Sequence, residues 1–260
     1  VGSAPFAVDR TPDFPFHVSH EYASLIQPGD WHDPLLLQVL PRADERALCE
    51  GFESDPVGDR YAEVVPGLLH KYRSRVLVLC GEACAMHCRY CFRRERSRRA
   101  PPLTLSTQQR MASYVLTHRH INEVLFSGGD PFMLSIEKLG SLVDTFATVP
   151  QVETYRFHTR APTVCPSMVT SVMRDAVSRW SRRAQCIVVL HVNVAAELGR
   201  GARRAVRALQ CCGARVFNQA VLLRGINDTT DAQEQLCRSL QATDITPYYL
   251  HQLDRVCGAA

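Results

Sequence analysis

Residues 75–80 read RVLVLC, a short apolar run rich in β-branched residues that is typical of a buried strand. Similar runs recur along the rest of the chain and alternate with longer amphipathic segments. This alternation predicts a parallel sheet with crossover helices. The predicted strands are 75–80, 122–127, 152–158, 185–191, 214–218 and 245–250, and the predicted helices are 105–118, 135–147, 166–180, 200–212 and 229–241.

The number and order of these elements indicate an α/β fold, a partial (β/α)6 barrel. The first 70 residues contain many of the prolines and little periodic pattern, apart from a predicted short helix in DPLLLQVL at 33–40. We therefore expect residues 1–70 to form an N-terminal arm around one main domain, residues 71–260.

The composition narrows the class of protein. The chain has 260 residues and is 46% hydrophobic, enough to bury a large core. Its 11 cysteines, without a signal-peptide pattern, indicate a reducing, cytoplasmic compartment. No apolar run approaches the roughly 18 residues that cross a bilayer, so we expect no membrane partner. The net charge of +4 is mild and spread along the chain, which argues against a nucleic-acid partner.

Chemistry in a parallel sheet is expected in the loops that leave the carboxyl ends of the strands. The unusual residues of this chain all follow predicted strands. In chain order they are CAMHCRYCFRR (84–94), SGGDP (127–131), HTR (158–160), HVN (191–193), LLRGIND (222–228) and HQLD (251–254).

Cys84, Cys88 and Cys91 are spaced C-x3-C-x2-C, which lets three thiolates face a common centre. One alternative is structural zinc, with His87 or Cys80 as the fourth ligand. Another is an iron–sulfur cluster, in which three thiolates on four irons leave one iron open to a substrate or cofactor. Three buried packing cysteines are a further interpretation, and they fit a polar, arginine-rich loop poorly.

This cysteine spacing resembles the signature of radical S-adenosylmethionine (SAM) enzymes, in which the methionine part of SAM chelates the fourth iron. In that superfamily a glycine-rich stretch after the second strand contacts the methionine amino group. SGGDP on its own is a common turn sequence, but it follows the expected strand. The resemblance therefore assigns SAM binding to Ser127, Gly128, Gly129, Asp130 and Pro131.

From about residue 28 onward the chain also resembles the lysine 2,3-aminomutases, closest to the branch that makes (R)-β-lysine for elongation factor P. The matching stretches include DPLLLQVLPR, VPGLLHKY, CRYCFRR, FSGGDP, NQAVLLRG and PYYLHQLD. The resemblance implies conversion of L-lysine to β-lysine with a [4Fe-4S] cluster, SAM and pyridoxal 5′-phosphate (PLP). It also implies a reductant such as flavodoxin or ferredoxin, and it leaves a homo-oligomer open.

Lysine presents a carboxylate and a distant ammonium, so its site requires an arginine at one end and carboxylates at the other. By resemblance, Arg93 binds the substrate carboxylate, and Asp228 and Asp254 bind the ε-ammonium. Two ordinary interpretations stay open. Arg93 is a solvated charge in one of them, and Asp228 caps the following helix in the other.

The phosphate of PLP requires cations, and the resemblance assigns Lys71, Arg75 and Arg160 to it. Lys71 stands where related mutases often carry arginine, and Arg75 fits equally well as a charge at a strand edge. His191 and Asn193 resemble a pocket-lining H-x-N element, although a buried, hydrogen-bonded histidine fits the same pattern.

The family's Schiff-base lysine lies beyond the Y-L-x-x-D motif, whereas the lysines of this chain are Lys71 and Lys138 and its last residue is Ala260. We therefore expect no catalytic Schiff-base lysine in these 260 residues, and little turnover. Two alternatives to a mutase serving elongation factor P follow. One is an enzyme that makes free β-lysine, and the other is a relict protein that binds the cluster and SAM without completing the reaction.

Overall fold

A computed structural model describes residues 4–47, 49–94 and 103–259. Within these residues the central feature is a single eight-stranded sheet whose spatial order follows the chain. The first two strands form an antiparallel hairpin that pairs with the third, and the third to the eighth are parallel. The strands are β1 (Glu63–Val65), β2 (Leu68–Tyr72), β3 (Arg75–Leu79), β4 (Glu123–Ser127), β5 (Thr154–Thr159), β6 (Gln185–His191), β7 (Arg215–Val221) and β8 (Thr246–His251).

Most helices connect the parallel strands, and a first short helix precedes the sheet. In the described residues they are α1 (His20–Ala23), α2 (Leu105–Thr117), α3 (Ile136–Ala147), α4 (Ala161–Val164), α5 (Ser171–Arg183), α6 (Arg200–Cys211) and α7 (Thr230–Gln241). Four of the long helices begin at a side chain that accepts a hydrogen bond from a backbone N–H in the first turn, which satisfies one otherwise unpaired donor. These capping residues are Thr104, Ser135, Thr170 and Thr229.

The predicted α/β alternation is confirmed. The six predicted strands correspond to β3–β8, and the five predicted helices correspond to α2, α3, α5, α6 and α7. The helix expected at 166–180 starts later, because Pro166 opens a 3₁₀ turn and α5 begins only after its Thr170 cap. DPLLLQVL forms a single 3₁₀ turn, Leu36–Gln38, capped by the carboxylate of Asp33.

The hairpin of β1 and β2 was not predicted, and it lies at the end of the expected arm. Pro66 and Gly67 form its turn, with Gly67 at φ +82°, the left-handed conformation that the third position of a type II turn requires. The PG pair in VPGLL was therefore the available sequence signal for this turn.

The main core lies between the sheet and its helices. Phe126 of β4 stacks on Phe157 of β5 with ring centroids 5.0 Å apart, and Phe157 stacks on Trp180 of α5 at 5.3 Å. All three side chains are buried. This stack fastens α5 to the middle of the parallel sheet.

A second, smaller apolar cluster fastens the arm to the cysteine loop. Tyr22, Leu35 and Val39 of the arm pack with Ala85 and Met86 of the loop. The arm therefore covers the segment that carries the cysteines. None of the helices in the described residues is long and apolar enough to cross a membrane.

Truncating the aromatic stack tests this description of the core. We expect Phe157→Ala to lower the free energy of unfolding by about 3–5 kcal/mol, through lost burial and the cavity left behind. Urea denaturation followed by circular dichroism measures the change. Tyr61→Ala, at a side chain that is 97% exposed, is the control and should change the value by less than about 0.5 kcal/mol. Equal stabilities of the two variants would contradict the assignment of the core.

Candidate functional site

The cysteine loop leaves β3 and lies against the residues that follow β4. Backbone hydrogen bonds continue the pairing of these strands beyond their ends, and they hold the entry to the loop in place. They join the N–H of Cys80 to Ser127 O (2.7 Å), that of Gly129 to Gly81 O (2.7 Å) and that of Asp130 to Ala83 O (2.8 Å).

Both glycines of SGGDP are required by this close approach. Gly128 has φ +111°, and a Cβ atom there would lie 3.0 Å from the backbone N of Cys80. A Cβ atom on Gly129 would lie 2.6 Å from the carbonyl oxygen of Ala83, a distance that real Cβ contacts do not reach. The stretch predicted to bind SAM is therefore also the support on which the cysteine loop rests.

Asp130 ties the same stretch to the end of β5. Its carboxylate accepts four hydrogen bonds, so the side chain is fully engaged in joining β4 to β5. The donors are Thr159 Oγ1 (2.6 Å) and the backbone N–H groups of Arg160 (2.7 Å), Ala161 (2.9 Å) and Phe132 (3.0 Å).

The three cysteines are partly buried and form no disulfide. Burial raises the pKa of the Cys91 thiol to about 11, and the neighbouring Cys88 adds to the effect. Burial also raises the pKa of Cys84, with further contributions from Asp130, Cys88 and Cys91. The thiols thus influence one another electrostatically, and binding a metal centre as thiolates would release protons.

The alternatives for a metal centre differ in how their ligands must be arranged. No group of three His, Cys, Asp or Glu side chains in the described ranges is arranged to hold one metal ion. A four-iron cluster places its thiolate ligands at separate corners, so it does not require them to converge on one atom. The two side chains considered as a fourth zinc ligand lie elsewhere. Cys80 is in the main core, and His87 Nδ1 is hydrogen-bonded to Pro15 O at 2.8 Å.

Arg93 and Lys71 converge on a buried carboxylate that sequence reasoning missed. Asp59 is 1% exposed, and its oxygens lie 2.5 Å from Lys71 Nζ and 2.9 Å from Arg93 Nε. Burial alone would raise the pKa of Asp59, but Arg93 and Lys71 outweigh it and hold the pKa below its usual value. Arg93 Nη1 also donates to Ser127 Oγ at 3.2 Å. Arg93 is therefore an oriented, ion-paired group and not a solvated charge.

Asp254 shares this environment, whereas Asp228 lies apart from it. Burial raises the pKa of Asp254, and His251, Arg93 and Lys71 act in the opposite direction. Asp228 is exposed, and its carboxylate accepts the N–H of Gly225 at 3.0 Å within the loop after β7.

The cap of α7 is Thr229 and not Asp228. No contact in the described parts of the chain joins the carboxylates of Asp228 and Asp254. Arg93 and Lys71 therefore meet at Asp59, Asp254 is close enough for their charges to act on its pKa, and Asp228 lies in the loop after β7.

Arg75 lies near His158, the histidine of the HTR stretch. Its Nε is 3.4 Å from Glu123, which also pairs with Arg156 at 2.5 Å. Burial lowers the pKa of His158 to about 3, and nearby cations, led by Arg156, add to the shift. Nε2 of His158 is buried without a hydrogen-bond partner within the described residues. This positive region therefore contains a polar atom suited to a bound anionic group.

Arg160 is placed differently from Lys71 and Arg75. It is buried, and all five of its N–H donors meet acceptors inside the protein, including Sγ of Cys88 at 2.9 Å. Asn193 belongs to the same hydrogen-bond network, and Nε2 of His191 lies 3.3 Å from the hydroxyl of Tyr90. The H-x-N element therefore supports the cysteine loop, and His191 is a half-buried histidine within hydrogen-bond distance of Tyr90.

Gly129→Ala tests the support of the cysteine loop. The added Cβ must displace Ala83, so we expect the variant to retain iron and sulfide at least about tenfold less well after anaerobic reconstitution. The matched control is Gly140→Ala, where the nearest atom to the new Cβ is Arg179 Nη2 at 3.8 Å. Metal analysis gives the result, and equal iron retention by the two variants would contradict the role of Gly129.

Comparison with known proteins agrees with this geometry. A family described as a 4Fe-4S single cluster domain matches residues 73–157, which include the whole cysteine loop and SGGDP. L-lysine 2,3-aminomutase of Escherichia coli is 37% identical over 247 residues, covering 95% of this chain and 71% of the relative. The enzyme of that name from Haemophilus influenzae is 36% identical over 95% of this chain and 72% of its own.

The similarity extends to a more distant relative. L-lysine 2,3-aminomutase of Clostridium subterminale is 31% identical over 238 residues, covering 91% of this chain and 56% of the relative. Because each match spans 91% or more of this chain, it includes the cysteine loop and the loops that follow β4–β7. The chain belongs to the lysine 2,3-aminomutase family.

Proposed function

We propose that this protein is a radical SAM isomerase that moves the α-amino group of L-lysine to the β-carbon and so makes β-lysine. The observation that carries the proposal is the meeting of three elements at one edge of the sheet. They are the cysteine loop, the SGGDP stretch packed against it, and the group of Arg93, Lys71 and Asp254 beside them. The relatives named as L-lysine 2,3-aminomutases give this arrangement its substrate.

Cys84, Cys88 and Cys91 would hold three irons of a [4Fe-4S] cluster, and the fourth iron would take SAM. Once bound and reduced, this pair supplies the one-electron chemistry that starts the rearrangement. The protein's part is to hold the thiolates and to offer the backbone of residues 127–131 to the methionine end of SAM. The absence of side chains at Gly128 and Gly129 lets this stretch lie directly against the cysteine loop, so the two parts of the proposed site are adjacent.

Arg93 suits the carboxylate of lysine because its orientation is fixed before the substrate binds. Asp59 accepts a hydrogen bond from Nε of Arg93, and Ser127 Oγ accepts one from Nη1. These two contacts fix the orientation of the guanidinium at the carboxyl end of β4. Asp254 suits the ε-ammonium, since a partly desolvated carboxylate gains most from a cation placed beside it. Asp228, in the loop after β7, would supply the second carboxylate.

PLP would supply the imine through which the amino group migrates. We propose Lys71 and Arg75 as the cations nearest its phosphate, and the unpartnered Nε2 of His158 lies in the same positive region. A phosphate role for Arg160 has no support in its contacts, because Glu197 and four other acceptors already occupy its donors. We further propose that the β-lysine serves the modification of elongation factor P, on the strength of stretches such as PYYLHQLD.

Product analysis tests the activity directly. The anaerobically reconstituted protein is supplied with SAM, PLP, a reductant and lysine labelled with ¹⁵N at the α-position, and the products are separated by chromatography with mass spectrometry. We expect ¹⁵N on the β-carbon of β-lysine, formed slowly because neither Lys71 nor Lys138 matches the family's Schiff-base lysine, and no product from Cys88→Ala. A parent protein that binds the cluster and cleaves SAM without forming β-lysine would favour the relict alternative.

Removing the charge of Asp254 tests the substrate site. Truncating one partner of a buried charge pair costs about 2–5 kcal/mol, so Asp254→Asn should weaken lysine binding by at least about tenfold. Isothermal calorimetry in the presence of SAM measures the affinity.

The matched control is Asp231→Asn, an exposed carboxylate in the first turn of α7. SAM binding should be the same in the parent and both variants. Equal lysine affinity of Asp254→Asn and the parent would remove Asp254 from the site.

A further inference from the structure

Arg160, at the end of β5, contacts one of the cluster cysteines but has no part in the chemistry proposed above. Its Nη1 atom donates to Sγ of Cys88 at 2.9 Å and to the hydroxyl of Tyr90 at 2.7 Å. The side chain is only 8% exposed. A guanidinium cation is therefore held, away from water, directly against a cysteine that the cluster requires as a thiolate.

The remaining donors of Arg160 fix the plane of the guanidinium. Nε donates to the carbonyl oxygen of His191 at 3.1 Å, and Nη2 donates to Gln38 Oε1 at 2.8 Å and to Glu197 Oε2 at 2.6 Å. Because the five donors of an arginine lie in a rigid plane, satisfying all of them leaves the group one orientation. The contact with Cys88 is thus set by the other four acceptors.

The acceptors are themselves anchored. Glu197 is fully buried, and its Oε1 accepts from Gln38 Nε2 (3.3 Å) and from the backbone N–H of Asn193 (2.9 Å). Gln38 belongs to the arm, Tyr90 to the cysteine loop, and Asn193 to the segment after β6. A buried polar network whose members are all satisfied is rigid, so these three parts of the chain hold Arg160 together.

Glu197 also determines how strongly the positive charge of Arg160 acts on the sulfur of Cys88. In a buried site, the carboxylate 2.6 Å from Nη2 offsets much of the field of the guanidinium. Removing Arg160 and removing the charge of Glu197 should therefore change the electrostatic potential at Cys88 in opposite directions. No residue in direct contact with a cysteine needs to be altered to test the second change.

We propose that Arg160 is a positioning residue for the iron–sulfur cluster. Arg160 holds the thiolate of Cys88 in place and raises the reduction potential of the cluster. The proposal rests on the proposed function, because it requires the cluster. N–H donors and positive charge at a ligating sulfur stabilise the reduced, more negative form of the cluster. In that reduction the cluster accepts one electron from an external low-potential donor, and no bond of the protein changes.

The test is a redox titration of reconstituted parent and variant proteins with dithionite and mediators. The reduced cluster is quantified by electron paramagnetic resonance, without SAM, PLP or lysine. Arg160→Gln should shift the reduction equilibrium at least about tenfold toward the oxidised form, which is about 59 mV for one electron. Glu197→Gln should shift it toward the reduced form. Iron content is measured on each sample.

The matched control is Arg156→Gln. Arg156 lies on β5, four residues before Arg160, is 7% exposed and pairs with Glu123, but it contacts none of the three cysteines in the described residues. Its loss removes the same charge from a similar depth, so a much smaller shift than that of Arg160→Gln isolates the effect of the contact. Loss of iron from Arg160→Gln with unchanged circular dichroism would also support the positioning role.

The remaining outcomes overturn the proposal. The proposal would be contradicted if the reduction potentials of Arg160→Gln and Glu197→Gln equalled that of the parent or that of the Arg156→Gln control. Either result would leave the proposed function intact. If Arg160→Gln does not fold, the direction of the shift in Glu197→Gln decides. A parent protein without a four-iron signal would overturn the proposed function itself, and this inference with it.

Discussion

The close backbone contact between the cysteine loop and the residues after β4 is the constraint on which the site depends. Gly128 and Gly129 let two chain segments approach to a distance at which any side chain would collide with the backbone of residues 80–83. Three hydrogen bonds then extend the pairing of β3 with β4 into the loop. The position of Cys84 is thereby tied to the sheet.

Two groups of ion-paired side chains, each built around a buried carboxylate, lie on either side of this contact. Each group serves a different part of the proposed site. Asp59 gathers Lys71 and Arg93 on the side where lysine and PLP are proposed to bind. Glu197 gathers Arg160 on the side of the arm, next to Cys88. Each carboxylate offsets the cost of burying its cation, because an unpaired charge in these positions would be strongly destabilising. The same type of interaction therefore orients a substrate-binding arginine and a cluster-supporting one.

The sequence predicted the parts of the fold that depend on periodic patterns. Apolar runs such as RVLVLC and the helices that follow them were located to within a few residues, because a buried parallel sheet needs long apolar strands. The hairpin before β3 was not predicted, because β1 has only three residues and the sequence signal for the hairpin is the PG turn. The start of α5 depended on the local choice between Pro166 and Thr170.

The site was predictable where short motifs carry the chemistry and not where distant residues meet. The cysteine spacing and SGGDP are contiguous in sequence. Asp59, Gln38 and Glu197 are single polar residues in otherwise unremarkable segments, and only tertiary packing brings them to Arg93 and Arg160. The hydrogen bonds of Arg160 show the same difficulty, because its five acceptors are spread over residues 38–197.

In the proposed site, the three cysteines hold a four-iron cluster whose remaining iron is open to SAM beside the SGGDP stretch. Mössbauer spectra of protein reconstituted with ⁵⁷Fe, recorded before and after addition of SAM, test this arrangement. We expect one iron of the four to change its isomer shift and quadrupole splitting on SAM addition while the other three do not. A spectrum in which all the iron sites are indifferent to SAM would contradict it.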